Sequence, residues 1–81
     1  SKIEPQSSEV WRLLATSYGA KGNDGMASLM LAEEAKILDK KEEAKKYAKA
    51  AEDKLPKNSP AIQRAKDIIA DIKIEEDKED E

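Results

Sequence analysis

The sequence predicts an all-α protein, an antiparallel stack of helix hairpins with about four helices, and three observations carry that expectation. Punctuation recurs every 17 residues, with Pro5, Gly22, Asp39 and Pro56 in one register. Small or apolar residues keep the same beat: Val10, Ala27, Ala44 and Ala61 form one row, and Leu14, Leu31, Ala48 and Ala65 a second row four residues further on. Each mark is followed by a stretch whose apolar residues recur at helical spacing. Two beats make about 34 residues, a length at which each repeat is one supersecondary unit that buries its apolar face against its neighbours.

Helix one is expected to start after Ser7 or Ser8, whose hydroxyl can accept from an unpaired backbone N–H, and to run to about Lys21 with Gly22 just beyond its end. Val10, Trp11, Leu14, Ala15 and Tyr18 give it one apolar stripe, so the two aromatics are read as packing residues. Helix two begins after Asn23 or Asp24 and runs to about Leu38. Its apolar residues, from Met26 through Leu38, surround most of the axis, which predicts burial on two sides, between helices one and three.

The run from Asp39 to Glu42 has capping-box spacing, so helix three is expected to start with Asp39 as its cap and to continue to about Leu55. Its inner row is Ala44, Ala48, Ala51 and Leu55, with Tyr47 alongside, and alanines at that spacing let two helix backbones approach closely. Helix four opens at Ser59 and Pro60: the serine can cap, and proline suits the first helical position because its missing N–H needs no partner there. Ile62, Ala65, Ile68, Ile69 and Ile72 form its buried face. Beyond them, residues 75–81 hold six acids and Lys78 with no apolar residue, the pattern of a disordered tail. The organisation that follows is a leader over residues 1–7, a helical domain over 8–75 and an acidic tail over 76–81.

Composition bounds what such a domain can do. The chain has 81 residues, of which 38% are hydrophobic and 41% charged, with no Phe and one Trp, so a core must come from Leu, Ile and Ala on thin helical layers. It opens on Ser1, as a segment excised from a longer protein would. There is no Cys and no His, which removes disulfides, thiolate metal sites and catalysis by either side chain. No nucleophile-elbow pattern is present, so no catalytic residue is expected. Asn23, Asp24 and Gly25 lack the remaining oxygen ligands of a calcium loop and read as a cap and turn. No metal site and no cofactor are expected.

Charge is distributed unevenly around a net value of -3: residues 40–57 carry seven Lys against four acids, while the C-terminal end is acidic. A negative total, scarce Arg and no aromatic row beside the lysines argue against nucleic-acid binding. No apolar run is long enough to cross a bilayer of about 30 Å. Compartment is not fixed by these features.

Trp11, Leu14, Ala15 and Tyr18 match the W-x2-L-A-x2-Y pattern of a tetratricopeptide repeat's first helix, with Ala27 and Leu31 at the packing positions of its second. Leu31 and Ala32 fit the first helix of an overlapping repeat, and Ala44, Ala48, Ala51 and Pro56 complete it. The chain thus resembles a tetratricopeptide-repeat domain, which implies an α–α superhelix that binds protein or peptide. Over roughly residues 8 to 70, the runs at 11–19, 25–35 and 55–60, with Arg64 to Ile68, look like the C-terminal repeat region of bacterial zinc metallopeptidases of the gluzincin, CAAX-protease-like class. That likeness implies an accessory domain positioning substrates or partners for an upstream protease, in a periplasmic or membrane-associated setting. With no His in the chain, no catalytic residue carries over. Asp39 also replaces the glycine expected between helices.

Protein contact is therefore the expected role, with a homodimer among the partners considered. If helix one lines the groove, Glu9, Arg12 and Thr16 face the ligand. If helix two does, Met26, Leu29, Glu33 and Lys36 face it. Lys41, Lys45 and Lys49 stand at successive i to i+4 positions, a basic ridge suited to acidic partners or simply a solvated face. The alternative is a purely structural cap, completing the core of an upstream catalytic domain and binding nothing else.

Overall fold

Three of the four helices begin where the sequence offers a side-chain oxygen to their unpaired N–H groups. In the structure, a computed structural model that describes residues 7–79, α1 spans Ser8–Ala20, α2 Asp24–Ile37, α3 Lys41–Lys54 and α4 Pro60–Glu79. Ser7 Oγ accepts from the Glu9 N–H at 3.3 Å, Asn23 Oδ1 from Met26 at 3.2 Å, and Ser59 Oγ from Ala61 at 3.2 Å. Each bond satisfies one of the donors that a helix start leaves unpaired. No strand occurs among the described residues.

The 17-residue punctuation has two physical bases, a left-handed closure at Gly22 and Asp39 and a proline at Pro56. After α1 the Asn23 N–H donates to the Tyr18 carbonyl and the Gly22 N–H to Gly19, closing the helix through Gly22 at φ +80°. After α2 the same pair of bonds recurs, Lys40 to Ala35 and Asp39 to Lys36, through Asp39 at φ +60°. Both are Schellman closures, in which one left-handed residue turns the chain out of the helix. The expectation that Asp39 caps α3 is thus corrected: the N-cap is Lys40, with no side-chain cap bond. Asp39 is spent on the reversal, a conformation that Asp tolerates better than most residues with a Cβ. At the fourth beat Leu55 is extended, at ψ 149°, because the following Pro56 disfavours helical geometry in the residue before it. The first beat, Pro5, and the leader residues 1–6 lie outside the described residues.

Packing follows chain order. Among the described residues α1 packs on α2 alone, α2 lies between α1 and α3, and α4 packs on α3 and reaches α2. The result is a flat body of 43 × 37 × 17 Å. At the seam between α2 and α3 lie Ala32, Ala35, Ala44, Ala48 and Ala51, all within the buried core. Ile68 and Ile72 of α4 are the largest fully buried side chains, each stabilising by about 1.5–3 kcal/mol through the area removed from water. Leu31 and Tyr47 pack against this core from half-buried positions, as do Trp11 and Tyr18. Leu14, expected in the α1 stripe, is instead 38% exposed; only Ala15 of α1 is fully buried.

The expectation of a disordered C-terminal end is revised: α4 continues to Glu79, through residues 75–79 of that segment. Glutamates are good helix formers, and two of them find ammonium groups on α3, with Lys45 Nζ 3.0 Å from Glu76 Oε1 and Lys41 Nζ 3.9 Å from Glu75 Oε2. Asp80 and Glu81, the rest of the expected tail, lie outside the described residues.

Gly25 marks the tightest approach. A Cβ there would sit 2.9 Å from Leu55 Cδ2 and 3.1 Å from the Leu55 backbone nitrogen. Alanine favours helix over glycine by about 0.8–1 kcal/mol, yet the seam cannot open without moving backbone. Gly25→Ala is therefore expected to destabilise by about 1–3 kcal/mol in urea melts, and a stabilised variant would refute the close approach. Asp39→Gly should do the opposite, raising stability by about 0.5–1 kcal/mol as the left-handed strain is relieved against a larger unfolded-state entropy.

Candidate functional site

An interaction site on stacked helices needs walls from more than one helix. One small cleft meets that condition, about 110 Å³ in volume, where α1, α2 and the start of α3 converge. Leu31, Ala35 and Leu38 enter it from one stripe of α2, and Tyr47 closes it from α3. Arg12, Glu34, Lys40 and Glu43 complete its lining. Arg12 Nε donates to Glu34 Oε2 at 2.9 Å across the α1–α2 junction. That bond is the main reason the Arg12 pKa is raised, and the attraction of the same carboxylate adds to it. Leu38, the last residue before the Asp39 reversal, is 45% exposed.

A larger hollow of about 470 Å³ runs along Glu42, Lys45, Lys46, Lys49, Ala50 and Asp53. All six belong to α3, so the hollow has no second wall and offers a ligand little burial. Lys46 Nζ stands 5.9 Å from the Tyr47 ring centroid, at the outer limit of a cation–π contact.

The expected contact residues divide among several environments. Arg12 lines the cleft. Glu9 and Thr16 are exposed on α1, with the Thr16 hydroxyl donating to the Arg12 carbonyl at 3.0 Å. The helix-two set is mostly turned inward: Leu29 is 2% exposed and belongs to the core, Met26 is half-buried, and Lys36 Nζ donates to Asp71 of α4 at 3.1 Å. Glu33, 7% exposed, faces α4, where both carboxylate oxygens accept from Arg64 at 2.6 Å. Its hydrogen bonds are the first cause of a raised Arg64 pKa, with burial pulling the other way. Leu29 and Glu33 are thus packing residues with no surface to present.

The basic ridge is largely matched within the chain. Lys45 donates to both oxygens of Glu76, at 3.0 and 3.2 Å, and its pKa is raised chiefly by that bond, against the opposing effect of desolvation. Lys41 approaches Glu75, while Lys49 remains exposed. The ridge therefore receives an acidic segment, and that segment is the last turns of α4. Leu31, Leu38 and Tyr47, absent from the expected contact set, carry a signal in their spacing: α2 has more apolar residues than α1 and α3 together can cover.

No group of three or more acidic side chains that could hold a metal ion gathers among the described residues, and no helix there is long and apolar enough to cross a membrane.

The Glu33–Arg64 pair gives a direct check on how α4 is held. Arg64→Met leaves a buried carboxylate without its partner, a loss of about 1–3 kcal/mol, toward the lower end because the guanidinium is 42% exposed and screened by water. Urea melts should record this loss. Unchanged stability would mean that the pair adds nothing to α4 docking. In comparisons with known proteins, no family model, curated protein or solved structure matches the chain.

Proposed function

We propose that the chain is a non-catalytic helical-repeat module of the tetratricopeptide type whose role is protein contact. The observation that carries this reading is the cleft between α1, α2 and α3, which combines an apolar floor with a charged rim. Leu31, Leu38 and Tyr47 supply the floor, and Arg12, Lys40, Glu34 and Glu43 the rim. Its volume suits one aliphatic side chain, so the ligand is a peptide segment that inserts a single apolar anchor and sets charges on either side. Helical and extended peptides both bind grooves in this manner. The flat stack supports the reading, because a body 17 Å thick offers mainly faces and seams for contact.

On the likeness of residues 11–19, 25–35 and 55–60 to the repeat region of gluzincin metallopeptidases, we further propose that the module serves as the C-terminal accessory domain of such an enzyme. There it would position substrate or partner proteins for the upstream protease. The gene upstream of this segment is then expected to encode H-E-x-x-H, and an upstream reading frame without that motif ends this part of the proposal.

The contact role has its own test. Peptides selected from a displayed random library should shift the amide resonances of Arg12, Leu38 and Tyr47. Leu38→Glu should weaken their binding by about tenfold or more at unchanged melting temperature, since one lost apolar anchor is worth at least about 1.4 kcal/mol. Selected peptides that bind Leu38→Glu as well as the parent, or that map to another face, would remove the cleft from consideration.

A further inference from the structure

α4 is the longest helix, 20 residues against 13 or 14 in the others, an excess of about two turns. That excess adds nothing to the core. The buried stripe of α4 runs through Ala65, Ile68 and Ile72, and at the next helical step Glu75 and Glu76 take its place. From residue 73 to residue 78 no side chain is buried, and Ile74, the one apolar group there, is 53% exposed. Removal of apolar surface from water therefore does little to dock this segment.

Charge supplies the docking instead. Lys45 Nζ donates to both oxygens of Glu76, and Lys41 Nζ stands 3.9 Å from Glu75 Oε2. Both lysines belong to the first two turns of α3, where Lys41, Lys45 and Lys49 repel one another at successive i to i+4 positions, so the two carboxylates offset that repulsion as well. The four paired side chains keep from 21% to 47% of their surface exposed, which leaves them open to screening by salt. Toward its start α4 is held differently, by the buried Ile68 and Ile72 and by Arg64 on the buried Glu33 carboxylate. Two parts of one helix are thus docked by forces that respond unequally to ionic strength.

We propose that residues 73–79 form a charge-held strap over the start of α3, closed at low ionic strength and open at high ionic strength, while the four helices stay packed through Ile72. Closed, the strap withholds Lys41 and Lys45 from any acidic partner. Open, it returns them to solvent beside the exposed Lys49. Neither Lys41 nor Lys45 lines the cleft, so the strap and peptide binding are tested separately.

Backbone chemical shifts of the full chain, followed from about 10 mM to 1 M sodium chloride, test the proposal, because the Debye length falls over that range from about 30 Å to about 3 Å. A helical end without tertiary support frays, so opening is read as loss of helical Cα shifts over residues 73–79. Each exposed pair shifts an equilibrium by about one-and-a-half- to fivefold, so the open-to-closed ratio is expected to rise by about two- to twenty-five-fold across the titration, with residues 60–72 unchanged. Lys45→Glu sets like charge against Glu76 and should open the strap even at the lowest salt, although the substitution lies on α3. The reversed pair Lys45→Glu/Glu76→Lys should close it again, and Ile74→Ala should leave it closed. Shifts over residues 73–79 that ignore salt, a Lys45→Glu chain whose strap stays closed, or a reversed pair that fails to close it would each overturn the proposal. So would an Ile74→Ala chain that opens as far as Lys45→Glu, which would assign the docking to apolar contact.

Discussion

Two helices can approach only as closely as the side chains between them allow, and the seam between α2 and α3 is lined by the smallest that a core can use. Ala32 and Ala35 on one helix and Ala44, Ala48 and Ala51 on the other are all buried. Where the seam ends, Gly25 lies so near Leu55 that an added Cβ would force the Leu55 side chain and backbone to shift. This close contact sets the spacing of the whole stack. Alanine loses little side-chain entropy on burial but also removes little apolar area, so the seam fixes geometry more than it supplies energy. The larger apolar groups lie outside it: Ile68 and Ile72 arrive from α4, while Trp11 and Tyr18 lean in from α1.

A thin body with so few large residues leaves the orientation of its outer helices to polar contacts. α4 is tied to α2 through Glu33–Arg64 and Lys36–Asp71, and to α3 through Lys45–Glu76 and Lys41–Glu75. Most are exposed pairs, each of small value, but they are spread along the helix from its second turn nearly to its end. Their joint effect is registry, since sliding α4 by one turn would break all of them together. The acidic end of the chain and the lysine-rich α3 are therefore two halves of one arrangement, which limits how much of the basic ridge is left for an outside partner. Among the described residues α1 has a single such tie, Arg12–Glu34, and that tie also forms part of the cleft rim.

The proposed contact cleft arises from one geometrical fact, that a stack of helices has seams as well as ends. The cleft is a seam, formed where α2 carries Leu31 and Leu38 beyond the cover of its neighbours. Among the described residues α1 packs only on α2, so its outward face is an end of the stack.

Much of the fold was legible in the chain. Caps at Ser7, Asn23 and Ser59, the alanine row of α3, the isoleucine face of α4 and the central place of α2 all follow from local spacing. Local chemistry alone decides them, because a helix start and an apolar stripe are properties of a few adjacent residues. The contact residues were less legible. Leu29 and Glu33 stand at positions that a groove-lining helix would present, yet one is in the core and the other is paired with Arg64, a residue 31 positions away. The acidic end resembled a disordered tail because its ammonium partners on α3 are equally distant in sequence. Asp39 had the spacing of a cap, and the reversal demanded a left-handed residue instead. The sequence alone thus determined that there are four helices and most of the stripe that each turns inward, since those depend on neighbours within a turn or two. Which charges meet, which leucines remain in water and where a cleft opens were decided only by tertiary structure, because each depends on the distance and angle at which one finished helix comes to rest on another.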